Sequence, residues 1–245
     1  MTGGAGYIGS HAVLALLEAG YDVVVIDNFV NGSREAVRRV EALAGRAVTL
    51  ITGDVADRVA LDALFDAYTI DAVMHFAGLK AVGESVARPL AYYANNVAAS
   101  VTLLQAMAQA GVTRLIFSSS ATVYDASSAM PLHEASPTGQ PATPYGRSKL
   151  MIEQILADTA AADASWHIGI LRYFNPIGAH HTGRSAKPPR ACPTIWRPIS
   201  ARSRSDSAAR WRCSATTTPP ATARAYATIS TSWIWSKAIS QLLRP

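Results

Sequence analysis

Three glycines at a fixed spacing, Gly3, Gly6 and Gly9, open this chain and constrain its fold more than any other feature. They lie in the run Thr2-Gly3-Gly4-Ala5-Gly6-Tyr7-Ile8-Gly9-Ser10-His11, directly before an apolar helical stretch from Ala12 to Leu17. Gly3 permits a tight turn, Gly6 lets backbone approach a ligand, and Gly9 lets the new helix pack close to a sheet. The N-terminus of that helix offers N–H donors and a positive dipole end to an anion. A turn at Gly20, an apolar strand (Asp22 to Ile26) and an acid at its end, Asp27, follow. A carboxylate about 20 residues past such glycines is placed to hold a ribose. This context favours a dinucleotide, with its pyrophosphate on Gly3, Gly6 and Gly9. The alternative is an ordinary strand–turn–helix in which Asp27 caps a turn.

The first 184 residues alternate strands with helices. Short apolar runs predict strands at Asp22–Ile26, Ala47–Ile51, Ala72–Phe76, Leu115–Ser119 and Ile168–Tyr173, as for strands buried on both faces. Helices are predicted at Ile8–Ala19, Ser33–Ala44, Val59–Tyr68, Pro89–Ala110 and Pro144–Ala161. Right-handed crossovers then give an α/β fold with a doubly wound, Rossmann-type parallel sheet, and ligands at the carboxyl ends of its strands. Two domains are expected: residues 1–184 as the dinucleotide-binding unit, and residues 185–245 as an aberrant tail where a substrate domain would stand.

Charge divides at the same place. Residues 1–184 hold twelve Lys and Arg against sixteen Asp and Glu, a net of −4. Residues 185–245 hold ten Lys and Arg and one acid, Asp206, a net of +9. The tail also carries Cys192, Cys213 and four of the five tryptophans. A basic tail with tryptophans is compatible with a nucleic-acid arm, but no nucleic-acid partner is expected, because a shifted reading frame explains the composition better. Two cysteines outside any C-x-x-C pair carry no metal or redox signature. No apolar run reaches membrane-spanning length, so no membrane partner and a cytoplasmic location are expected.

The chemistry-bearing residues lie further along. Tyr145-Gly146-Arg147-Ser148-Lys149 follows Pro144, which suits the first turn of a helix. Tyr145 and Lys149, four apart, share one helix face. A nearby ammonium is expected to favour the phenolate and lower the tyrosine pKa from about 10. Such a pair is a proton shuttle suited to a nicotinamide. The strand ending in Ser118-Ser119-Ser120 supplies a hydroxyl for a reacting sugar hydroxyl; read alone, those serines are also ordinary helix-capping groups. His75 reads as a hydrogen-bonded core histidine, and His180 and His181 are too local for a metal site, so no metal is expected.

These residues resemble the extended short-chain dehydrogenase/reductase family. The blocks Phe76-Ala77-Gly78-Leu79-Lys80-Ala81-Val82-Gly83-Glu84-Ser85, Tyr92 to Val97, Ser118 to Tyr124 and Arg172 to His180 narrow the resemblance to its UDP-glucose 4-epimerase branch, over nearly all of residues 2–184. Related dehydratases carry Thr-Asp-Glu where this chain has its serines. The resemblance implies NAD as cofactor, with Gly3, Gly6, Tyr7, Ile8 and Gly9 on its pyrophosphate. Asp27, Asn28, Asn31 and Gly32 would hold the adenosine ribose, and Asp54 and Val55 would meet the adenine. Phe76, Ala77, Gly78, Leu79, Lys80 and Asn95 would line the nicotinamide side, with Phe174 against the cofactor. Ser120 and Tyr145 would address the sugar O4, Lys149 would tune Tyr145, and Asn175 would contact the nucleotide-sugar. Lys80 alone is equally a solvated lysine, Asn95 a helix cap and Phe174 a core residue. The implied reaction interconverts UDP-galactose and UDP-glucose through a 4-keto sugar, in a possible homodimer formed through helices like Pro89–Ala110 and Pro144–Ala161. Arg147 and Asp125 depart from the usual lysine and glycine without touching the chemistry.

Both ends depart from the resemblance. Family members carry four or five strand residues before the glycine turn, so a central strand is expected to be largely missing here, leaving its neighbours with unpaired backbone groups. A GTG valine codon inside that strand, read as Met1, would account for this. Past Arg184 a shifted frame is expected: Cys192 to Ser200 then reads P-D-N-L-A-P-Y-I-S, like a substrate-binding segment, and the substrate domain is mostly absent or disordered. Negligible turnover and poor solubility are the corresponding expectations. Alternatives are an epimerase for N-acetylated nucleotide-sugars, or a non-catalytic NAD-binding module, against which the intact Ser120, Tyr145 and Lys149 argue.

Overall fold

The computed structural model describes residues 1–125, 127–128 and 130–177, and the backbone of a strand at 225–231. Its elements run α1 (Tyr7–Glu18), β1 (Val24–Asp27), α2 (Arg34–Ala44), β2 (Thr49–Thr52), α3 (Arg58–Ala67), β3 (Val73–His75), α4 (Val82–Ala87), α5 (Pro89–Tyr92), a π-helical turn (Tyr93–Ala98), α6 (Ala99–Gln109), β4 (Arg114–Ser120), α7 (Pro144–Ala162), β5 (His167–Ile177) and β6 (Ala225–Thr231). The predicted helix Pro89–Ala110 is thus broken into α5, the π turn and α6. The short α4, with Gly83 within its six residues, had no clear periodic signal.

β1 pairs with β2, and β3, β4, β5 and β6 pair in that order, all parallel. Thr2 joins the two groups by bridging Ile26 on one side and His75 on the other. Its N–H donates to the Met74 carbonyl at 2.9 Å, and its carbonyl accepts from Phe76 N at 3.0 Å. Ile26 N donates to the Met1 carbonyl at 2.9 Å. The spatial order is therefore β2, β1, Met1–Thr2, β3, β4, β5, β6. Chain order reverses beside Thr2, which is the switch point of a doubly wound sheet, where ligands bind. The expected central strand is present as these two residues. The Met1 ammonium donates to the Val24 carbonyl at 2.6 Å, and burial pushes its pKa down to about 5.

Strand alternation sends successive side chains to opposite faces. Val25, Met74, Ile116 and Leu171 pack with α1 and α2 residues such as Leu14, Leu17, Val37 and Val40. Ile26, Val73, Leu115, Phe117 and Ile170 pack with Leu61 of α3, Leu103 and Met107 of α6, and Ile152 and Leu156 of α7. Side-chain caps start the polar-fronted helices: Ser33 accepts from Glu35 N, Asp57 from Ala60 N, and Thr143 from Gly146 N.

Within residues 185–245, expected as an aberrant tail with no strand periodicity, Ala225–Thr231 forms β6 and runs parallel to β5. Tyr226, Thr228, Ile229 and Thr231 are strand-favouring residue types within that stretch. The remaining expectations for the tail, including its cysteines, His180, His181 and the shifted frame, lie outside the described residues.

His75 is the buried histidine the sequence predicted. Its Nδ1 lies 2.7 Å from Thr2 Oγ1 and its Nε2 2.9 Å from Ser100 Oγ. Ser100 spends its own hydrogen on the Asn96 carbonyl at 2.6 Å, so His75 Nε2–H donates and Nδ1 accepts from Thr2. Burial first, then the Lys149 and amino-terminal charges, push its pKa down to about 3. A base held neutral in the fold binds fewer protons than the unfolded chain, so its contribution is full above about pH 6.5 and is lost on acidification toward 3. Urea unfolding between pH 7 and pH 4 is expected to show a weaker pH slope for His75→Gln than for the parent. Identical slopes would remove His75 from this account.

Candidate active site

The glycine turn sits against β3. Gly3 has φ +68, and a Cβ there would lie 2.6 Å from Ala77 N. A Cβ on Gly9 would lie 2.2 Å from the Gly3 carbonyl oxygen, so α1 can begin this close to the turn only with glycine at that position. Gly6 is the N-cap of α1; it makes no side-chain cap, and no acid occupies the first turn. This helix end is thus open to an anion in charge and in shape.

Asp27 ends β1 beside this turn. Its Oδ2 accepts from Ala5 N at 2.9 Å and its Oδ1 from Phe29 N at 2.8 Å. A Cβ on Gly32 would sit 2.8 Å from the same Oδ1, so the 28–33 loop closes over the glycine turn. Asn28 Nδ2 donates to Asp54 Oδ2 at 2.7 Å, which links two residues assigned to the adenosine end. Asn31 is exposed. Val55, assigned with Asp54 to the adenine, lies in the turn after β2 with its side chain packed among core residues at 6 % exposure. Its neighbour Asp54 carries the polar edge.

On the other side of the switch point, the 76–80 segment leaves β3 and passes over α7. Leu79 N donates to Asn96 Oδ1 at 2.8 Å and to Asn95 Oδ1 at 3.2 Å, and Asn96 Nδ2 returns a bond to the Leu79 carbonyl at 3.0 Å. Asn96 also reaches Ser148 Oγ of α7 at 3.2 Å. The buried Asn96, which the sequence analysis did not select, is therefore the main anchor of this segment, with Asn95 its weaker partner. The π-helical turn that carries both places neighbouring asparagines toward one strand end. A Cβ on Gly78 would lie 3.7 Å from Lys149 Nζ, so the segment and the lysine share one space. Lys80 is exposed, as is Phe174 at 38 %. Asn175 lies in β5, and its side chain is outside the described residues.

Tyr145 and Lys149 lie one turn apart on α7, as their spacing predicts, and the end of β4 with Ser118 and Ser120 runs beside them. Lys149 is buried; its Nζ donates to the Ser118 carbonyl at 2.8 Å and lies 4.8 Å from the Phe117 ring centre. Burial lowers its pKa to about 8, against the raising effect of Glu153. The Ser120 hydroxyl accepts from Thr122 Oγ1 at 3.0 Å and lies near enough to the Tyr145 phenol to exert a lowering effect on its pKa. Here the structure corrects one expectation. The Tyr145 pKa is raised, not lowered, because burial outweighs the effect of Ser120 while the Lys149 ammonium is turned onto Ser118.

Two further residues were missed. Glu153 and Arg172 form a buried ion pair at 2.7 Å, each side chain 6 % exposed. Arg172 Nε also reaches both Glu153 oxygens, at 3.1 and 3.2 Å, and Ser119 Oγ donates to Glu153 Oε1. A signal was present: Glu153 stands on the apolar face of α7 beside Ile152 and Leu156, and Arg172 interrupts an apolar strand. Among the described residues no three His, Cys, Asp or Glu converge on one point, and no helix is long and apolar enough to cross a membrane.

The reversal of strand order at Thr2, the glycine turn and the Tyr145–Lys149 helix define the extended short-chain dehydrogenase/reductase architecture. The chain belongs to the NAD dependent epimerase/dehydratase family, whose model matches residues 1–208. It is 53 % identical over 199 residues to the UDP-glucose 4-epimerase of Yersinia pestis, a match covering 81 % of this chain and 59 % of that protein. It is similar to the crystal structure of UDP-glucose 4-epimerase from Bifidobacterium longum in complex with NAD+ and UDP, with TM-score 0.76 and 49 % identity over 78 % of this chain and 57 % of that one. The epimerase from Stenotrophomonas maltophila, solved with bound NAD and formylated UDP-arabinopyranose, gives TM-score 0.76 and 47 % identity, covering 79 % and 57 %. The chain thus spans rather more than half the length of these relatives.

Proposed function

We propose that this chain carries the cofactor-binding and proton-transfer half of an NAD-dependent UDP-galactose/UDP-glucose 4-epimerase, an isomerase. The observation that carries the reading is a continuous line along the carboxyl ends of the strands. Asp27, Gly32, Gly3, Ala77, Gly78, Lys149 and Ser118 follow one another, each in contact with the next or linked to it through Ala5 and the glycine turn. That line has an acid at the ribose end, an anion-compatible helix start in the middle, and a lysine with a tyrosine at the far end.

NAD suits these residues: the uncapped helix start fits a pyrophosphate and the Asp27 carboxylate a ribose. When bound, NAD would take a hydride from the sugar and return it. Gly3, Gly6, Tyr7, Ile8 and Gly9 surround the pyrophosphate in this reading. Asp27, Asn28, Asn31, Gly32, Asp54 and Val55 hold the adenosine end. Phe76 to Lys80, held by Asn95 and Asn96, form the nicotinamide side, with Phe174 at its edge and Asn175 toward the nucleotide-sugar. Tyr145 accepts the O4 proton as C4 is oxidised to a ketone and gives it back on re-reduction. Ser120 orients O4 by hydrogen bonding, and Lys149 keeps positive charge beside the phenol.

The homodimer is part of the proposal. Leu90 on α5 and Met151 on α7 are exposed apolar residues at 81 % and 41 %, on helices suited to pair with a second copy. Sedimentation of the purified chain tests it.

The reading as a whole is tested by adding NAD to the chain and following its melting temperature, then adding UDP-glucose and following the nicotinamide absorbance. Stabilisation by NAD and partial cofactor reduction are expected. NAD stabilisation without reduction would leave a binding module. Absence of both would remove the reading.

A further inference from the structure

Helix α7 and the end of β4 meet at three consecutive levels. Tyr145, Lys149 and Glu153 are spaced four apart, on one helix face, one turn of about 5.4 Å between each. Across from them stand three successive strand residues. The Ser120 hydroxyl is near enough to Tyr145 to act on its pKa, the Ser118 carbonyl accepts from Lys149, and the Ser119 hydroxyl donates to Glu153. The first two levels belong to the proton shuttle proposed above. The third has no part in binding or chemistry, yet it is the most heavily tied. Glu153 takes three hydrogen bonds from Arg172 and one from Ser119, and Arg172 itself lies over the Tyr124 ring at 4.8 Å.

A buried ion pair is costly to assemble and is weak evidence for stability alone. Here its acidic member is one helical turn from a buried ammonium. The charged or titratable groups that act on Lys149 or feel its charge are Glu153 on α7 and His75 on β3; Tyr145 stands one turn before it on α7, and Arg172 of β5 pairs with Glu153. His75 is neutral at physiological pH, so Glu153 is the acid among them. Desolvation of Lys149 favours loss of its proton, and an anion at this distance opposes that loss.

We propose that Glu153 is a positioning residue: anchored by Arg172 and Ser119, its carboxylate keeps Lys149 protonated and donating to the Ser118 carbonyl at the end of β4. The proposal rests on the reading of Lys149 as the shuttle's cation, but its test requires neither cofactor nor sugar. The chain has four lysines, Lys80, Lys149, Lys187 and Lys237. Carbon-13 labelling of the lysine side chains, with Lys149→Met to assign the resonance, gives the Lys149 titration midpoint directly.

In the parent that midpoint is expected near 8. Glu153→Gln keeps the size, turns one of the two acceptor oxygens into a donor and removes the charge, so the midpoint should fall by about one pH unit or more. A purely structural role predicts the opposite sign. Loosened packing would admit water, and the midpoint would rise toward the ordinary lysine value. An unchanged or raised midpoint therefore overturns the proposal. If circular dichroism shows that Glu153→Gln does not fold, Glu153→Asp decides, since it keeps the charge and withdraws it by one methylene. A midpoint at or below that of the parent supports the proposal; a rise overturns it. Failure of the NAD assay with a lowered Glu153→Gln midpoint would sink the enzymatic reading and leave this coupling standing. The converse result would do the reverse.

Discussion

Replacing Tyr145 with phenylalanine is expected to slow the reduction of bound NAD by UDP-glucose by about 10²–10⁴-fold, while leaving the affinity for NAD unchanged. The phenylalanine ring keeps the packing of a half-buried residue at the start of α7 and removes only the phenol oxygen that lies near Ser120. Without that oxygen no group of the pair is placed to take the O4 proton, because Lys149 Nζ is committed to the Ser118 carbonyl. Single-turnover absorbance reads this step even where turnover is slow. Burial raises the Tyr145 pKa, so the parent rate should also increase with pH as the phenolate becomes accessible. An unchanged rate in the variant would show that another group moves the proton. A lost NAD affinity would show that the phenol oxygen also holds the cofactor, so that the slowed reduction could not be assigned to proton transfer alone.

The sequence was legible wherever local spacing fixes geometry. Gly3 and Gly9 sit where their missing Cβ atoms matter, Asp27 ends its strand beside them, and Tyr145 and Lys149 share one face because four residues are about one helical turn. The strands were visible because burial on both faces writes continuous apolar runs. What the sequence hid depends on long-range pairing. Asn96 rather than Asn95 carries most of the 76–80 segment because a π-helical turn rotates the two side chains, and no composition rule marks such a turn. Val55 is assigned to the adenine by the resemblance alone; in the structure it lies in the turn after β2 with its side chain in the core, a placement set by tertiary packing that no local pattern encodes. The raised Tyr145 pKa could not be read from i and i+4 spacing, since it depends on where the Lys149 head settles. Met1 and Thr2 close the sheet through hydrogen bonds to strands more than twenty and seventy residues away, which a local pattern does not encode.

Arg172→Met is expected to destabilise the fold by about 3–5 kcal/mol in urea unfolding, as large an effect as any single side chain here should produce. The reason is the carboxylate it leaves behind. Glu153 is 6 % exposed and takes three of its four hydrogen bonds from Arg172, and in the variant only Ser119 remains. The neighbours of Glu153 on α7, Ile152 and Leu156, are buried in the core, so the helix cannot turn the carboxylate into water without exposing them. Removing both charges should therefore cost much less than removing one. In the double variant Glu153→Met with Arg172→Met, apolar side chains of similar length fill the same space, and stability should return to within about 1–2 kcal/mol of the parent or above it. Losses that simply add would mean that the two residues stabilise the fold separately, through their stems. Recovery would mean that the pair is retained at a cost in stability, for what its carboxylate does to the lysine one turn away.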